Sequence, residues 1–235
     1  MPVSEMLNAL QAGLPQLSLA ADEKTAQQLC AFGEAVVEQN KVMNLTAITE
    51  PSAVAKLHLL DSLTVGLALP LAGKKVIDVG CGAGFPGVPL KIANPTMELT
   101  LLDSLGKRMK WLETVLPQLG VEAECVTARA EEAVAARRES YDVATSRAVA
   151  RLPVLLELTA PYVKVGGFVA AMKGTAAREE LAESKNAISK LGLRVHKVLE
   201  FPIDDTAHTV ILLEKVKPIP AQYPRKFAKI KQSPL

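Results

Sequence analysis

A glycine-rich turn directly after a short apolar run constrains the fold of this chain more than any other segment. Residues 75–87 read Lys-Val-Ile-Asp-Val-Gly-Cys-Gly-Ala-Gly-Phe-Pro-Gly, and the β-branched residues near the start are typical of a buried parallel strand. Gly80, Gly82 and Gly84 then stand at alternate positions, where the chain must turn sharply and a ligand can approach the bare backbone. Asp78 lies inside the apolar run, and a buried carboxylate is costly unless something pairs with it. The segment therefore favours a site for a cationic or hydrogen-bonding ligand over a glycine-rich turn without one.

Strand-like and helix-like segments alternate from Gly73 onward, which predicts right-handed crossovers and a parallel sheet covered on both faces. The last two strands have no helix between them. Phe201–His208 is interpreted as a loop, so this final pair is expected to form an antiparallel hairpin at the sheet edge. The strand candidates are Lys75–Val79, Leu99–Leu102, Ala123–Thr127, Tyr141–Ser146, Gly167–Met172, Leu193–Leu199 and Thr209–Glu214. The helix candidates between the first six strands are Gly87–Ala93, Gly106–Leu119, Glu131–Arg138, Leu152–Tyr162 and Arg178–Leu191.

The two ends of the chain differ in sequence pattern from the α/β middle and from each other. Residues 1–69 contain no convincing strand, while Asp22–Asn40 and Val54–Leu69 carry apolar residues at helical spacing. Residues 215–235 hold six Lys or Arg residues, four prolines and no acid, so this part is expected to be extended. Clustered cations gain affinity for phosphates by counterion release, although a solvated terminus is an equally good interpretation. We expect a helical extension over residues 1–72, an α/β domain over 73–217 and a basic tail over 218–235.

The composition argues against several other classes of protein. The 235 residues carry a net charge of +2, and no span approaches the roughly 20 apolar residues that a membrane helix needs. Three cysteines and three histidines are scattered, which argues against a disulfide framework and against a metal site. The N-terminus lacks the basic-then-apolar pattern of a signal peptide. A protein of the cytoplasm that binds no metal and no membrane is therefore expected.

Two classes of nucleotide-like ligand use a glycine turn after the first strand. The dinucleotide pattern Gly-x-Gly-x-x-Gly matches only in a frame that starts at Gly82, two residues too late, and Pro86 and Pro89 disturb the helix that follows. The Asp-x-Gly-x-Gly-x-Gly order from Asp78 to Gly84 is instead the signature of S-adenosylmethionine-dependent methyltransferases. The sequence therefore predicts S-adenosylmethionine as cofactor and a Rossmann-like class I methyltransferase fold, with a seven-stranded, mostly parallel sheet and a C-terminal antiparallel hairpin.

Asp103 supports binding of a nucleoside in either class. It ends the second strand candidate, where a carboxylate can accept hydrogen bonds from both ribose hydroxyls. The alternative role is an N-cap for the next helix, for which Asp is also well suited.

Ordered sequence blocks over most of the chain carry a resemblance to one family. They are Asn44-Leu45-Thr46, His58-Leu59-Leu60-Asp61-Ser62-Leu63, Asp78–Leu90, Leu101-Leu102-Asp103-Ser104-Leu105-Gly106-Lys107-Arg108, Ala128-Arg129-Ala130-Glu131-Glu132, Ser146-Arg147-Ala148, Lys173-Gly174 and Tyr223-Pro224-Arg225-Lys226. In these blocks the chain resembles the bacterial small-subunit (16S) rRNA guanine-N7 methyltransferases, also called glucose-inhibited division protein B. The resemblance implies transfer of a methyl group from S-adenosylmethionine to N7 of one guanine in a small-subunit rRNA loop.

The resemblance also implies roles for particular residues. By family pattern, Gly80, Phe85, Ala130, Glu131 and Arg147 bind the cofactor. Together with Asp78, Gly82 and Asp103 from the motif itself, they form the expected cofactor-binding set. The expected RNA contacts are Lys107, Arg108, Arg129, Arg225 and Lys226, although for Lys107 and Arg108 a solvated helix face is an equally good interpretation. The tail departs from the family pattern after Lys226, where Phe227-Ala228-Lys229-Ile230 replaces an expected Gly-x-Pro step. The implied partner is 16S rRNA or the 30S subunit, bound by a monomer.

Chemistry at guanine N7 agrees with the residues that follow the fourth strand. N7 has a free lone pair, so no proton must leave and no strong general base is required. Ser146-Arg147-Ala148 stands where amino-group methyltransferases carry Asn/Asp-Pro-Pro-Tyr/Phe and where cytosine-C5 enzymes carry a cysteine nucleophile. Arg147 and Lys173 are therefore expected to position the substrate. A nonenzymatic RNA-binding module that kept the cofactor pocket and a small-molecule methyltransferase are the alternatives.

Overall fold

A seven-stranded sheet forms the centre of the computed structural model, which describes residues 2–203 and 206–235. The strand order is β3-β2-β1-β4-β5-β7-β6, with β7 antiparallel to both of its neighbours and the other pairs parallel. The predicted mostly parallel sheet with an antiparallel hairpin at its edge is confirmed. The strands are β1 (Lys75–Val79), β2 (Glu98–Asp103), β3 (Glu124–Thr127), β4 (Tyr141–Arg147), β5 (Val163–Lys173), β6 (Leu193–Ile203) and β7 (Thr206–Lys215).

Helices cover both faces of this sheet. Neighbouring residues of β1 show why, because Val76 packs into the apolar layer on one face and Ile77 into the layer on the other. No helix within residues 2–203 and 206–235 is long and apolar enough to cross a membrane. The helices are α1 (Pro2–Gln16), α2 (Glu23–Asn40), α3 (Pro51–Val54), α4 (Asp61–Ala68), α5 (Gly87–Ala93), α6 (Gly106–Gln118), α7 (Ala130–Ala133), α8 (Leu152–Thr159), α9 (Ala177–Glu183), α10 (Lys185–Lys190) and α11 (Phe227–Gln232).

The helices that precede β1 pack on one face of the sheet. The Asp22 side chain accepts the Thr25 amide at 2.7 Å and starts α2 one residue after the predicted boundary. The predicted helix over 54–69 is one continuous run in which α3 and α4 flank a π-helical turn, Ala55–Leu60. Buried α1 residues share one hydrophobic cluster with the sheet. The division of the chain at residues 72 and 217 stays a prediction.

Helix α1 is not among the helices predicted from the sequence. Met6, Leu10 and Leu14 are buried at four-residue spacing, as expected for an amphipathic helix. Gly13 and Pro15 lie inside the same helix and oppose a helical interpretation of the sequence. Packing against α2 and the π-helical turn outweighs these poor helix formers.

The loop that was predicted over residues 201–208 is wrong. Strand β6 continues to Ile203 and β7 begins at Thr206, and these two residues pair in register. Ile203 is buried and Phe201 packs against the cluster that includes the extension, so packing extends the hairpin beyond its apolar centre. Asp204 and Asp205, which belonged to the predicted loop, lie outside the described residues.

The tail is also not extended as predicted. Tyr223 is buried, and α11 follows it over Phe227–Gln232 with Ile230 as its buried residue. The predicted single helix over 178–191 is divided into α9 and α10 at Ser184, whose buried hydroxyl donates to the Glu180 carbonyl at 2.7 Å. In both places, local side-chain burial and hydrogen bonding decide the backbone path.

Candidate active site

A cavity of about 500 Å³ opens where the carboxyl ends of β1 and β4 meet. The strand order reverses between these strands, and such a switch point is where doubly wound sheets bind their ligands. The glycine turn, the ends of β2 and β4, the start of α7, the extension and the tail all contribute lining residues. The volume lies within the range of small-molecule sites, so the predicted ligand site after β1 coincides with a suitable cavity.

The glycine turn forms one wall of this first cavity. Gly80, Gly82 and Gly84 have φ angles of +74°, +57° and +97°, which side-chain-bearing residues rarely adopt. A Cβ atom on Gly80 would lie 2.5 Å from a methyl carbon of Val149, and one on Gly84 would lie 2.8 Å from a methyl carbon of Val88. The turn therefore needs glycine and presents bare backbone to a ligand.

Asp103 closes the turn from the neighbouring strand. Its Oδ2 accepts the Gly82 amide at 3.0 Å, and its Oδ1 accepts the Leu105 amide at 2.8 Å, just before α6 begins. An ionised carboxylate has about four acceptor positions, so two remain for a ribose diol. Asp103 thus fixes the loop before α6, a role similar to the N-cap that the sequence offered as the alternative. Its side chain also lines the cavity, so the two roles are compatible.

Ala130 and Glu131 line the cavity at the start of α7, as the resemblance implied. Glu131 Oε1 accepts from Arg129 Nε at 3.0 Å, while its buried Oε2 meets no donor among the described residues. A buried acceptor at a cavity wall requires a donor from a ligand or from water. The amino group of adenine is such a donor, so these residues fit the nucleoside end of S-adenosylmethionine.

The structure corrects the expected ligand contact of Asp78. Its side chain is fully buried outside the cavity wall, and its Oδ2 accepts the Gly87 amide at 2.8 Å. Burial raises the pKa of this carboxyl to about 7, against the opposing effects of the Gly87 hydrogen bond and the nearby Arg147 charge. Asp78 therefore connects β1 to the first residue of α5 and stabilises the glycine turn between them.

Arg147, at the end of β4, is held by the extension. Its Nη1 donates to Asp61 Oδ2 at 2.8 Å and to the Leu57 carbonyl at 2.9 Å. Its Nη2 lies 3.1 Å from His58 Nδ1. Asp61 Oδ1 in turn lies 2.8 Å from Nδ1 of His208 on β7, so one buried polar network connects the extension with two strands.

His58 and Phe85 stack where the extension meets the cavity. Their ring centroids are 4.7 Å apart, and the Arg147 guanidinium lies 5.1 Å from the Phe85 centroid. His58 Nε2 lies 2.7 Å from Thr46 Oγ1. Burial, and then the Arg147 charge, lower the pKa of His58 to about 4, so the imidazole is neutral at pH 7. The only sequence signal for the place of His58 in the cavity is the sequence block that also contains Asp61.

A second cavity of about 590 Å³ is lined in part by residues of the network around Arg147. It shares His58, Arg147, Ala148 and Val149 with the first, so these four residues form a common wall. Lys173, at the end of β5, lines only the second cavity. The two positioning candidates of the sequence therefore stand at one continuous cleft.

The predicted RNA contacts fall into different environments. Lys107 and Lys226 are exposed to solvent. Arg108 lines the first cavity and donates to the Asn44 carbonyl at 3.0 Å. Arg129 also lines that cavity, and its guanidinium lies 4.3 Å from the ring centroid of Phe227. Phe227 is a cavity residue that the sequence did not indicate, because it stands where the tail departs from the family pattern.

Arg225 needs a correction as a phosphate contact. Its Nη2 lies 2.6 Å from Oε2 of Glu157, whose side chain is fully buried in α8. The Arg225 amide also donates to Glu157, at 2.9 Å. A buried carboxylate requires such a partner, so Arg225 attaches the tail to the α/β domain.

Comparison with solved structures defines the class of protein. A S-adenosylmethionine-dependent methyltransferase from Aquifex aeolicus aligns with a TM-score of 0.56 and 17% identity, covering 76% of this chain and 98% of that chain. The mitomycin 7-O-methyltransferase MmcR aligns with a TM-score of 0.57 and 17% identity, covering 79% of this chain and 60% of that one. The fold is that of S-adenosylmethionine-dependent methyltransferases.

Comparison of sequences then identifies the family. The GidB family model, described as rRNA small subunit methyltransferase G, matches residues 25–208. Proteins named "Ribosomal RNA small subunit methyltransferase G" from Alkaliphilus metalliredigens and Lactobacillus johnsonii are 44% and 42% identical, covering 92% and 94% of this chain and 93% and 96% of theirs. The chain belongs to the rRNA small subunit methyltransferase G family. It is an enzyme that methylates rRNA with S-adenosylmethionine, so the nonenzymatic alternative does not apply.

Proposed function

We propose that this enzyme methylates N7 of one guanine in small-subunit rRNA. The observation that carries the proposal is the wall of Arg147, His58, Ala148 and Val149 that both cavities share along one cleft. A methyl donor in the first cavity and a purine in the second would meet where the two cavities join, beside this wall. The side chains there can position both reactants, and among the described wall residues none is a free general base.

The two nearest groups with basic character are already engaged. The lowered pKa of His58 makes its imidazole a weak base, and both ring nitrogens lie within hydrogen-bond distance of neighbours. The two Asp61 oxygens face Arg147 and His208. Methylation of an exocyclic amino group requires the loss of a proton, whereas N7 attacks through a lone pair that is already free. The site therefore favours N7.

Particular residues would hold the cofactor in the first cavity. Asp103 would accept from the ribose hydroxyls, Glu131 from the adenine amino group, and the turn at Gly80 and Gly82 would lie against the methionine portion. The cofactor supplies a methyl group on a sulfonium: its carbon–sulfur bond breaks as the bond to N7 forms, the pair of electrons stays on sulfur, and the positive charge passes to the purine.

Arg147 positions the acceptor in this proposal and takes no part in proton transfer. A free cation beside N7 would oppose attack on a cationic methyl donor. The ion pair with Asp61 balances that charge, and the Leu57 carbonyl fixes the direction of the guanidinium. Holding donor and acceptor in line at a near-attack distance can account for most of the required rate acceleration.

Cations around the mouth of the first cavity support a nucleic-acid acceptor. Lys107, Arg108, Arg129 and Lys226 are proposed to contact phosphates there, since each is exposed or lies at the cavity wall. We further propose that the enzyme acts as a monomer in the cytoplasm, where the small subunit is found, without a bound metal. Naked 16S rRNA, an assembly intermediate and the complete 30S subunit are separate arms of the test.

The test is label transfer from methyl-labelled S-adenosylmethionine to undermethylated small-subunit rRNA, supplied naked and as subunits. We expect label on a single guanine, and strand cleavage by aniline at that guanine after borohydride reduction, the behaviour of 7-methylguanine. Label on an exocyclic amino group, on a cytosine or only on small molecules would contradict the proposal.

A further inference from the structure

The second cavity contains an ion pair that the proposed function leaves unused. Lys173 Nζ and Glu180 Oε2 lie 2.8 Å apart, with side chains only 9% and 12% exposed, and both residues line the cavity. Glu180 comes from α9 and Lys173 from the end of β5, so two rigid elements fix their separation. The pair therefore presents a donor and an acceptor side by side next to the common wall.

Each member of this pair keeps hydrogen-bonding capacity for a ligand. Lys173 Nζ donates to the Ala150 carbonyl at 2.5 Å and forms an ion pair with Glu180, and an ammonium group has three donors, so at least one remains. Glu180 Oε2 also accepts the Leu152 amide at 2.7 Å. Within the described part of the chain, no hydrogen bond reaches Glu180 Oε1. One donor and one acceptor are thus available in a largely buried place.

This arrangement matches one edge of guanine. On that base the O6 acceptor and the N1–H donor are neighbours, so O6 can face Lys173 while N1–H faces Glu180. We infer that Glu180 determines the choice of guanine as acceptor by accepting its N1–H, with Lys173 at O6. The inference rests on the proposed function, because it concerns the base that would occupy the second cavity.

The same pair rejects adenine. Adenine carries an N6 donor in place of O6 and an N1 acceptor in place of N1–H, so a cation would face a donor and a carboxylate would face a lone pair. Sites built to hydrogen-bond a substrate group discriminate strongly against analogues that lack it, because their own polar groups are then left unpaired. Since O6 and N7 are adjacent on guanine, binding O6 at Lys173 also restricts where N7 lies.

The experiment measures kcat/KM for methyl transfer to small-subunit rRNA, naked and in reconstituted subunits, with guanosine, inosine or 2-aminopurine at the target position. Inosine retains O6 and N1–H, 2-aminopurine has neither, and all three retain N7. The variant is Glu180→Gln, which keeps an oxygen for the Leu152 amide but offers a donor to N1–H. The control is Glu179→Gln on the same helix, where the side chain is 67% exposed and pairs with Arg151.

We expect wild type to prefer inosine over 2-aminopurine by about 1000-fold, and Glu180→Gln to reduce that ratio to about 10-fold. Glu179→Gln should keep the wild-type ratio. An equal loss of activity on all bases in Glu180→Gln would indicate a purely structural role and overturn the inference. Equal wild-type activity on inosine and 2-aminopurine would overturn it even if the variant failed to fold. In both cases N7 label on guanine leaves the proposed function standing, whereas wild type without N7 label refutes both.

Discussion

The Asp61–Arg147 ion pair is the strongest link between the helical extension and the proposed reaction site. The paired side chains are 8% and 16% exposed, and their atoms are 2.8 Å apart. Asp61→Asn preserves the size of the side chain but removes its charge, so the Arg147 guanidinium loses its counter-ion while it remains mostly buried. We expect this substitution to lower both the stability of the protein and its methyl-transfer rate.

The magnitude follows from the burial of the pair. Removing one partner of a buried ion pair costs about 3 kcal/mol, because the remaining charge is uncompensated. For a chain of this length each kcal/mol lowers Tm by about 2–4 °C, so Tm should fall by about 6–12 °C. A guanidinium that no longer has a fixed direction should also reduce kcat by about 10–100-fold.

The assays are calorimetric melting and single-turnover methyl transfer. Glu38→Gln is the matched control, because Glu38 and Lys41 form an ion pair whose side chains are 74% and 66% exposed. Exposed pairs contribute at most about 1 kcal/mol, so the control should shift Tm by no more than about 4 °C. If Asp61→Asn matches the control in Tm and transfers methyl groups at the wild-type rate, the network does not position Arg147.

Three further predictions concern the cofactor, the tail and pH. Asp103→Ala should weaken S-adenosylmethionine binding by about 10–100-fold in calorimetry, since charge-assisted hydrogen bonds to ribose are lost; an unchanged Kd would exclude the ribose role. Arg225→Ala should lower the free energy of unfolding by about 3 kcal/mol, whereas Lys226→Ala should keep it and reduce the salt slope of rRNA binding by about 1; the reverse pattern would contradict the assignment of anchor and contact. His58 has a pKa of about 4 in the folded protein against 6.5 for an exposed imidazole, so between these pH values the unfolded state binds more protons than the folded state. The wild type should therefore lose about 3 kcal/mol of unfolding free energy from pH 6.5 to pH 4, relative to His58→Gln, in denaturant titrations. Parallel titration curves for the two proteins would refute the buried neutral imidazole.

The sequence predicted the central part of the fold well because its elements have strong local signals. Strand β1 and helix α5 have the predicted boundaries, since an apolar run, three glycines and a proline leave few alternatives for the backbone. The order of elements also predicted that the last two strands form an antiparallel hairpin. Helix α1 contains Gly13 and Pro15, which oppose helix formation locally, and it depends on tertiary packing that no local pattern reveals.

The candidate site was predictable where a residue type alone defines the chemistry. Gly80, Gly82 and Asp103 line the cavity as expected, because a turn beneath a ligand and a diol-binding carboxylate require those residue types. Asp78 and Arg225 differ from expectation because each is bound to a partner on another element: Asp78 Oδ2 accepts the Gly87 amide, and Arg225 pairs with Glu157. The second cavity forms because β4, β5 and α9 meet in space. The spacing of residues along the chain does not indicate that Lys173 pairs with Glu180 there.

The central claim is that the methyl donor occupies the first cavity and the acceptor guanine the second, with Arg147 between them. The most direct measurement is a crystal structure with a bisubstrate analogue in which the adenosine 5′ position is tethered to guanine N7. We expect the ribose at Asp103, and the guanine beyond Arg147 with its O6 edge towards Lys173. A guanine that lies outside the second cavity, while the adenosine half is bound at Asp103, would contradict it.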